Sequence, residues 1–359
     1  MKPCLLFRHV LLLSALALLV LVSVPLARAA APRETLVLLN WPDYMDPALL
    51  KDFEARYHVR IREVHYETEA NMDQLLSYTG GKKYDLLIAS HTKVPSFVKR
   101  GWIAPVDRAM VPNLKHLDTG GLPHDEELAR HAVPHLWGTV GIVYRKDLVK
   151  EKISGWKQLL QPAEGLRGRI MMIGDVRDVM GAALKTLGYS LNSQDPRELA
   201  EAEKLLMAQR PFVKKYGYMP INKKSDLIKG NYWMAMVYSG DALTLADLSA
   251  NIAYVTPVEG TSLWLDSIMV LKDSKKQKLA FQFINFLHEP ENAAKLAAFV
   301  SMATPNAAAR KLLPKEHLGN PDIYPPQAVL DKCEFYASLP PRVLKRYNEI
   351  FTRASQGLL

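Results

Sequence analysis

Carboxylates, most of them beside an aromatic ring, border the apolar runs of this chain at four places. Asn40-Trp41-Pro42-Asp43-Tyr44 closes the run that begins at Thr35, and Tyr238-Ser239-Gly240-Asp241 follows a run ending at Val237. Trp264-Leu265-Asp266 precedes a run at Ile268, and Asp175 and Asp178 follow one ending at Ile173. An aromatic face attracts an ammonium group through its quadrupole, and a carboxylate pairs with it strongly where water is scarce. Tryptophan and tyrosine also give flat apolar walls to a methylene chain. Each residue alone has a plainer explanation: Asp175 or Asp178 as a helix N-cap, Trp41 or Trp264 as core. Together they suit an elongated organic polycation, and they suit an anion badly.

Enzyme chemistry has little support. The chain has no Gly-x-Ser-x-Gly elbow, no His-Glu-x-x-His, no phosphate loop and no Gly-x-Gly-x-x-Gly after a strand. His131 and His135 are parted by Pro134, which breaks the helix that would align them on a zinc ion, so no metal and no cofactor are expected. Cys333 has no histidine beside it and reads as a buried structural thiol. Basic residues come in scattered pairs, Lys82-Lys83, Lys214-Lys215, Lys223-Lys224 and Lys275-Lys276, with no long basic block. These read as solvated surface, with docking to a membrane or protein as the alternative, and nucleic acid is not an expected partner.

The elements that would position these side chains follow from periodicity. Thr35-Leu-Val-Leu-Leu-Asn40 is a continuous apolar run, as expected of a strand buried on both faces. Asp46-Pro47 reads as an N-cap with proline at the first helical position, opening a helix with Leu49, Leu50, Phe53 and Tyr57 on one face. Strands are expected at 59–64 and 85–89, with helices at 71–78 and 94–100, the last stopped by Gly101. The middle repeats the theme: strands at 141–144, 168–173, 232–238, 252–255 and 267–271, with helices at 179–187, after Asp195-Pro196, and at 276–287. Repeated β–α units imply a mostly parallel sheet with helices on both faces, and ligands then sit at the carboxyl ends of strands.

At 359 residues, with 48% apolar and 23% charged side chains, the chain has material for two cores, at roughly 150 residues per domain. Lys2 and Arg8, the fifteen uncharged residues from Val10 to Val24, Pro25 and Ala27-Arg28-Ala29 form the pattern of a cleavable signal peptide over residues 1–29. An uncleaved anchor is the alternative, but the apolar run is short of the roughly 20 residues of a membrane span. Cleavage would remove Lys2, Arg8 and Arg28 and no acid, lowering the formal net charge from +9 to +6 and leaving one cysteine, Cys333. An exported, periplasmic protein is expected.

At the same residues the chain resembles the periplasmic spermidine/putrescine-binding proteins, the substrate-binding components of polyamine ABC transporters. The resemblance runs over about residues 34–355. It rests on Asn40-Trp41-x-Asp43-Tyr44, Tyr84-Asp85-Leu-Leu-Ile-Ala-Ser90, Trp137-Gly138, Asp175-x-x-Asp178 with Leu187-Gly188-Tyr189, and Gly240-Asp241. Further anchors are Glu259-Gly260 with Trp264-x-Asp266, Asn285-Phe-Leu before Pro290, Thr304-Pro305-Asn306 and Ile323-Tyr324-Pro325-Pro326. It implies an α/β, two-lobed, hinge-closing fold of the type II periplasmic-binding-protein class, each lobe a mixed, mostly parallel sheet flanked by helices. Lobe 1 would comprise residues 30–137 and 263–308, and lobe 2 residues 138–262 and 309–359. The chain would cross between them near Trp137, near Gly260 and after about residue 308.

Carried over by position, the resemblance puts Trp41, Asp43 and Tyr44 at one end of a polyamine and Ser90 on the near wall. Asp175 and Asp178 would bind amines from the second lobe, with Tyr238 as an aromatic wall where the family often has tryptophan. Asp241 and Asp266 would pair with ammonium groups and Trp264 would stack on the chain. Pro42 replaces a hydroxyl residue of the family pattern, Met302 a common tyrosine, and Tyr336 falls near a polar contact position. The ligand's length therefore stays open among putrescine, spermidine and norspermidine. Such a receptor, expected as a monomer, delivers its ligand to an inner-membrane ABC permease, or else presents its loaded form to the periplasmic domain of a membrane sensor.

Overall fold

The computed structural model describes residues 34–123 and 125–357. The expected signal peptide lies outside them, and no helix among the described residues is long and apolar enough to cross a membrane.

Ten strands form one curled mixed sheet: β1 (Thr35–Asn40), β2 (Arg60–His65), β3 (Leu86–Ser90), β4 (Val133–Arg145), β5 (Ile170–Met172), β6 (Val213–Tyr216), β7 (Met234–Tyr238), β8 (Ile252–Val255), β9 (Ser262–Val270) and β10 (Glu334–Phe335). The main order is β2-β1-β3-β9-β4-β7-β5-β6, with β8 paired to β4 and β10 to β9. β1 is parallel to β2 and β3, and β5 is parallel to β6 and β7, as repeated β–α units require. β9 runs antiparallel to both β3 and β4.

The helices are α1 (Pro47–Tyr57), α2 (Glu69–Thr79), α3 (Val94–Arg100), α4 (Glu126–His131), α5 (Trp156–Leu160), α6 (Val176–Thr186), α7 (Pro196–Gln209), α8 (Ser239–Leu248), α9 (Gln277–Leu287) and α10 (Pro290–Phe299). Three one-turn helices, α11 (Ala307–Arg310), α12 (Lys315–Leu318) and α13 (Gln327–Leu330), precede the C-terminal α14 (Pro341–Gln356). Local chemistry sets several of their starts. The Asp46 carboxylate accepts from the Ala48 amide at 2.8 Å to open α1, and His58, left-handed at φ 55°, closes it. Thr68 caps α2 by accepting from the Asn71 amide at 3.1 Å, so this helix begins at Glu69, two residues ahead of the expected start.

Alternation along the strands divides the interior. Leu36 and Leu38 of β1 enter one core with Phe53, Ile88, Ile268, Phe283 and Phe286. Val37 and Leu39 enter another, on the opposite face, with Leu87, Phe97 and Met269. The same division recurs further on: Ile142, Ile170, Met172, Met234 and Met236 pack with Trp156, Val179 and Tyr347. Val143, Met171, Ala235 and Val237 pack with Leu245 and Tyr254 on the other side. Burial on both faces explains why these strands read as unbroken apolar runs.

β4 joins the two halves. Its first part, Val133 to Thr139, pairs with β9, and its second part pairs with β7 and β8 from Val140 onward. The strand is thirteen residues long, against the four expected at 141–144. Pro134 and two glycines disguise its start; a register shift between Pro134 and Leu136 accommodates the proline. β9 likewise begins at Ser262, so Trp264 and Asp266 lie inside the strand instead of ahead of it. Ala309 and Leu313 are buried in the first core and Tyr324 packs against it, whereas Leu339 and Val343 belong to the second.

Candidate functional site

Trp41 follows β1, Ser90 ends β3, Asp175 follows β5 and Tyr238 ends β7, so four candidate residues stand at carboxyl ends of parallel or mixed strands. Asp266 lies within β9 with Ser90 and Leu136 as its register partners, and Trp264 lies beside Gly138. Two residues apart on an extended strand, Trp264 and Asp266 share a face.

Two carboxyl centres result. At the first, the Tyr44 hydroxyl donates to Asp266 Oδ2 at 2.8 Å, and both residues are buried. Trp41 packs its ring 4.3 Å from that of Tyr66. The Trp41 indole N–H faces Asp266 and favours its charge, but it falls short of a hydrogen bond and is left without a partner. Burial pushes the Asp266 carboxyl up to about 7, helped by the negative charge of Glu69 and opposed by the Tyr44 hydrogen bond.

At the second centre, Asp178 accepts from three hydroxyls: Tyr238 at 3.0 Å, Ser262 at 3.1 Å, and Tyr336. Burial pushes this carboxyl to about 7 as well, with the neighbouring Asp175 adding to the rise. Asp175 itself caps α6, accepting from the amides of Arg177 at 2.8 Å and Asp178 at 3.1 Å. Its capping role and a role in the site are therefore compatible, because one oxygen, Oδ1, serves both amides. Asp241, in the first turn of α8, is pushed to about 6 by burial and has no hydrogen-bonded cation beside it.

Trp264 links the centres. Its ring meets that of Tyr238 edge-on at 6.3 Å, its indole donates to the Thr139 carbonyl at 3.2 Å, and it packs against both the first and the second core. Gly138 is required beneath it, since a Cβ there would lie 2.5 Å from Trp264 Cζ2. Ser90 Oγ lies 2.9 Å from Thr92 Oγ1 at the start of a short 3₁₀ turn. Asp43 stands apart: it is exposed on the turn after β1 in a left-handed conformation, φ 55°.

The shared chemistry of Asp178 and Asp266 is a buried carboxyl with no salt-bridge partner among the described residues, and the half-buried Asp241 also lacks one there. Desolvation disfavours the charged form, and an arriving ammonium group would restore it. Tyr336, Ser262 and Tyr66 complete the arrangement. Ser262 and Tyr66 carry no signal of their own in the sequence, and Tyr336 meets Asp178 across 158 positions of chain. Glu69 is a further acid, on α2, whose charge reaches Asp266; it lies two residues ahead of the helix expected at 71–78 and has no sequence sign of its own. No cluster of metal-ligating residues occurs among the described residues.

The fold is that of the two-lobed periplasmic binding proteins, and the chain belongs to the bacterial extracellular solute-binding protein family, whose model matches residues 48–317. Members of this family are solute-binding receptors, not enzymes. The spermidine/putrescine-binding periplasmic protein of Salmonella typhimurium is 31% identical over 332 residues, spanning 91% of this chain and 92% of that one. The putrescine-binding periplasmic protein SpuD of Pseudomonas aeruginosa is 29% identical over 362 residues, with 95% and 97% covered. Among solved structures, a putative spermidine/putrescine ABC transporter protein from Listeria monocytogenes superposes with TM-score 0.80 at 32% identity, covering 90% of this chain and all of that one. PotD from Streptococcus pneumoniae gives TM-score 0.79 at 29% identity, covering 90% and 99%.

Proposed function

We propose that this protein is a periplasmic polyamine receptor that binds putrescine- or spermidine-type polycations between its lobes and delivers them to an ABC permease. The observation that carries this reading is the pair of buried carboxyl centres, Asp266 with Tyr44 and Asp178 with Tyr238, joined by the Trp264–Tyr238 wall. Each centre offers an ammonium group a carboxylate and hydrogen-bond acceptors, and the wall between them offers apolar surface to methylenes. The names of the relatives support the ligand class. In this reading Trp41, Tyr44, Ser90, Trp264 and Asp266 serve one end of the ligand, and Asp175, Asp178, Tyr238 and Asp241 the other. Asp43 acts at the mouth, through its charge.

In this reading one lobe comprises residues 34–137 with 263 to about 324, and the other residues 138–262 with the segment beyond, so the last crossing falls later than the one expected after about residue 308. The packing of Ala309, Leu313 and Tyr324 supports a final crossing beyond Tyr324. Calorimetry with putrescine, spermidine, norspermidine and spermine tests the reading, with amino acids and sugars as controls. Dissociation constants at or below about 1 μM are expected for at least one amine, equivalent to about 8 kcal/mol. An absence of heat from all four amines would overturn it.

A further inference from the structure

Three charges meet at the same strand edge, outside both carboxyl centres. Lys93 Nζ lies 3.1 Å from Glu69 Oε2 and 2.9 Å from Asp73 Oδ2. Glu69 and Asp73 are four apart on α2, so their carboxylates share one helix face. α2 begins just beyond the carboxyl end of β2, and Lys93 stands three residues beyond the carboxyl end of β3. The group is therefore continuous with the edge that carries Trp41 and Ser90. The Lys93 side chain is 21% exposed, against 31% for Glu69 and 39% for Asp73, so the pairing is partly buried at the lysine and open to solvent on the side of Asp73.

Glu69 also belongs to the electrostatic field of the cleft. Burial is the main cause that raises Asp266, the Tyr66 hydroxyl and Glu69; the Glu69 charge adds to the rise of the first two, and the charge of Asp175, from the other half, adds to that of Glu69. Chemically, the Lys93 side chain is a primary ammonium on a methylene stem, the kind of group that ends a polyamine, with the four-carbon spacing of putrescine. It sits on carboxylates that adjoin a site made for such units. Without it, Glu69 and Asp73 would carry two adjacent negative charges at the mouth of the cleft; with it, the group carries one.

We propose that Lys93 is a tethered stand-in for a ligand ammonium: it occupies the outermost cation position of the cleft and so limits the length and charge of the polyamine accepted. This rests on the polyamine reading of the cleft. A short amine satisfied by Asp178 and Asp266 is indifferent to Lys93, whereas a longer, more charged amine must compete with it for Glu69 and Asp73.

Lys93→Met keeps the unbranched stem and removes the charge. Calorimetry on the full mature chain is expected to show the affinity ratio of spermine to putrescine rising roughly tenfold, the scale of one partly desolvated charge pair, with putrescine affinity changed by less than about threefold. Lys93→Arg, which keeps the cation, is expected to stay close to the native ratio. Should the freed acids destabilise the first variant, Lys93→Met with Asp73→Asn leaves a single acid and is expected to shift the ratio in the same direction. An unchanged ratio in the Met variants, or equal losses for both amines, overturns the inference while leaving the polyamine reading intact. A native protein that binds none of the amines overturns both.

Discussion

Asp178 and Asp266 hold protons far more tightly than exposed aspartates do, and this has two consequences of opposite sign. Both carboxyls titrate at about 7 in the folded chain, against about 4 for an unfolded aspartyl group. Between those values the folded chain binds more protons than the unfolded one. The stability these groups contribute is thus complete below about pH 4 and is lost as the pH rises through about 7. The buried His135, lowered to about 3, works in the other direction below about pH 6.5, so the acid contribution is isolated by comparison with the Asp178→Asn/Asp266→Asn double variant. In thermal denaturation the ligand-free native protein should lose stability, relative to that variant, between about pH 4 and about pH 7 and change little further above it. Cation binding reverses the preference. Polyamine affinity should rise over the same range with release of protons, seen as a dependence of calorimetric heat on the buffer's ionisation enthalpy. Proton uptake on binding, or affinity independent of pH, would contradict this. Asp266→Asn retains shape and loses the charge; a weakening of binding by about 2–5 kcal/mol is expected, with a ligand-free melting temperature near neutral pH no lower than that of the native protein. Trp264, Asp266, Asp178 and Tyr238 were legible in the sequence because each stands within a few positions of an apolar run. Ser262 and Glu69 were not, because what gives them meaning is a partner 84 positions away in one case and 24 in the other.

The elements that matter most are the two strands that pass between the halves of the sheet. β9 carries Trp264 and Asp266, and β4 pairs with it up to Thr139 before turning to β7 and β8. Periodicity located only the later parts of both strands and missed their beginnings. Pro134, Gly138 and Gly141 resemble a break in β4, yet each glycine answers a close approach: a Cβ at Gly141 would lie 2.4 Å from the Val255 carbonyl oxygen. Sequence pattern registers the missing side chain but not the neighbour that requires it to be missing. The parallel units at 35–100 were read well because β1 and β3 are buried on both faces and α1 and α2 are set by local caps, while β2, partly exposed along its length, was located by its place in the repeat. Gly260, just ahead of β9, combines left-handed backbone, φ +86°, with a hypothetical Cβ 2.1 Å from the Lys332 carbonyl oxygen. Gly260→Ala should therefore cost about 1–3 kcal/mol through strain, read as a lower midpoint in urea with an unchanged slope. Gly188→Ala shares the left-handed backbone, φ +83°, but has open space around the added methyl, so a clearly smaller loss is expected there. Equal losses at the two positions would show that backbone strain alone, and not the approach of Lys332, sets the cost.

At the scale of the whole molecule, what matters is that the two carboxyl centres belong to different halves. Asp266 and Tyr44 are built on β9 and the segment after β1, and Asp178 and Tyr238 on α6 and β7. A ligand favours the closed arrangement only by the difference between its affinities for the closed and open states. Shifting a population from about 1:99 to about 99:1 takes roughly 5.5 kcal/mol of such difference. In the proposed reading, a polyamine that seats one ammonium at Asp266 has that pairing in both states. Its second pairing, at Asp178, forms only when the halves meet, and a desolvated charged pair of this kind is worth about 2–5 kcal/mol, with apolar contact along the Trp264–Tyr238 wall adding to it. A diamine therefore reaches the required difference, and a monoamine supplies almost none of it. Small-angle scattering should show the radius of gyration falling when the protein is saturated with putrescine or spermidine and staying constant with butylamine, even at concentrations where butylamine competes for the site. In Asp178→Asn the diamine is reduced to a one-ended ligand, so at full occupancy the contraction should be lost or much diminished. Contraction by butylamine as large as that by putrescine, or an undiminished contraction in Asp178→Asn, would show that closure does not depend on bridging the two centres.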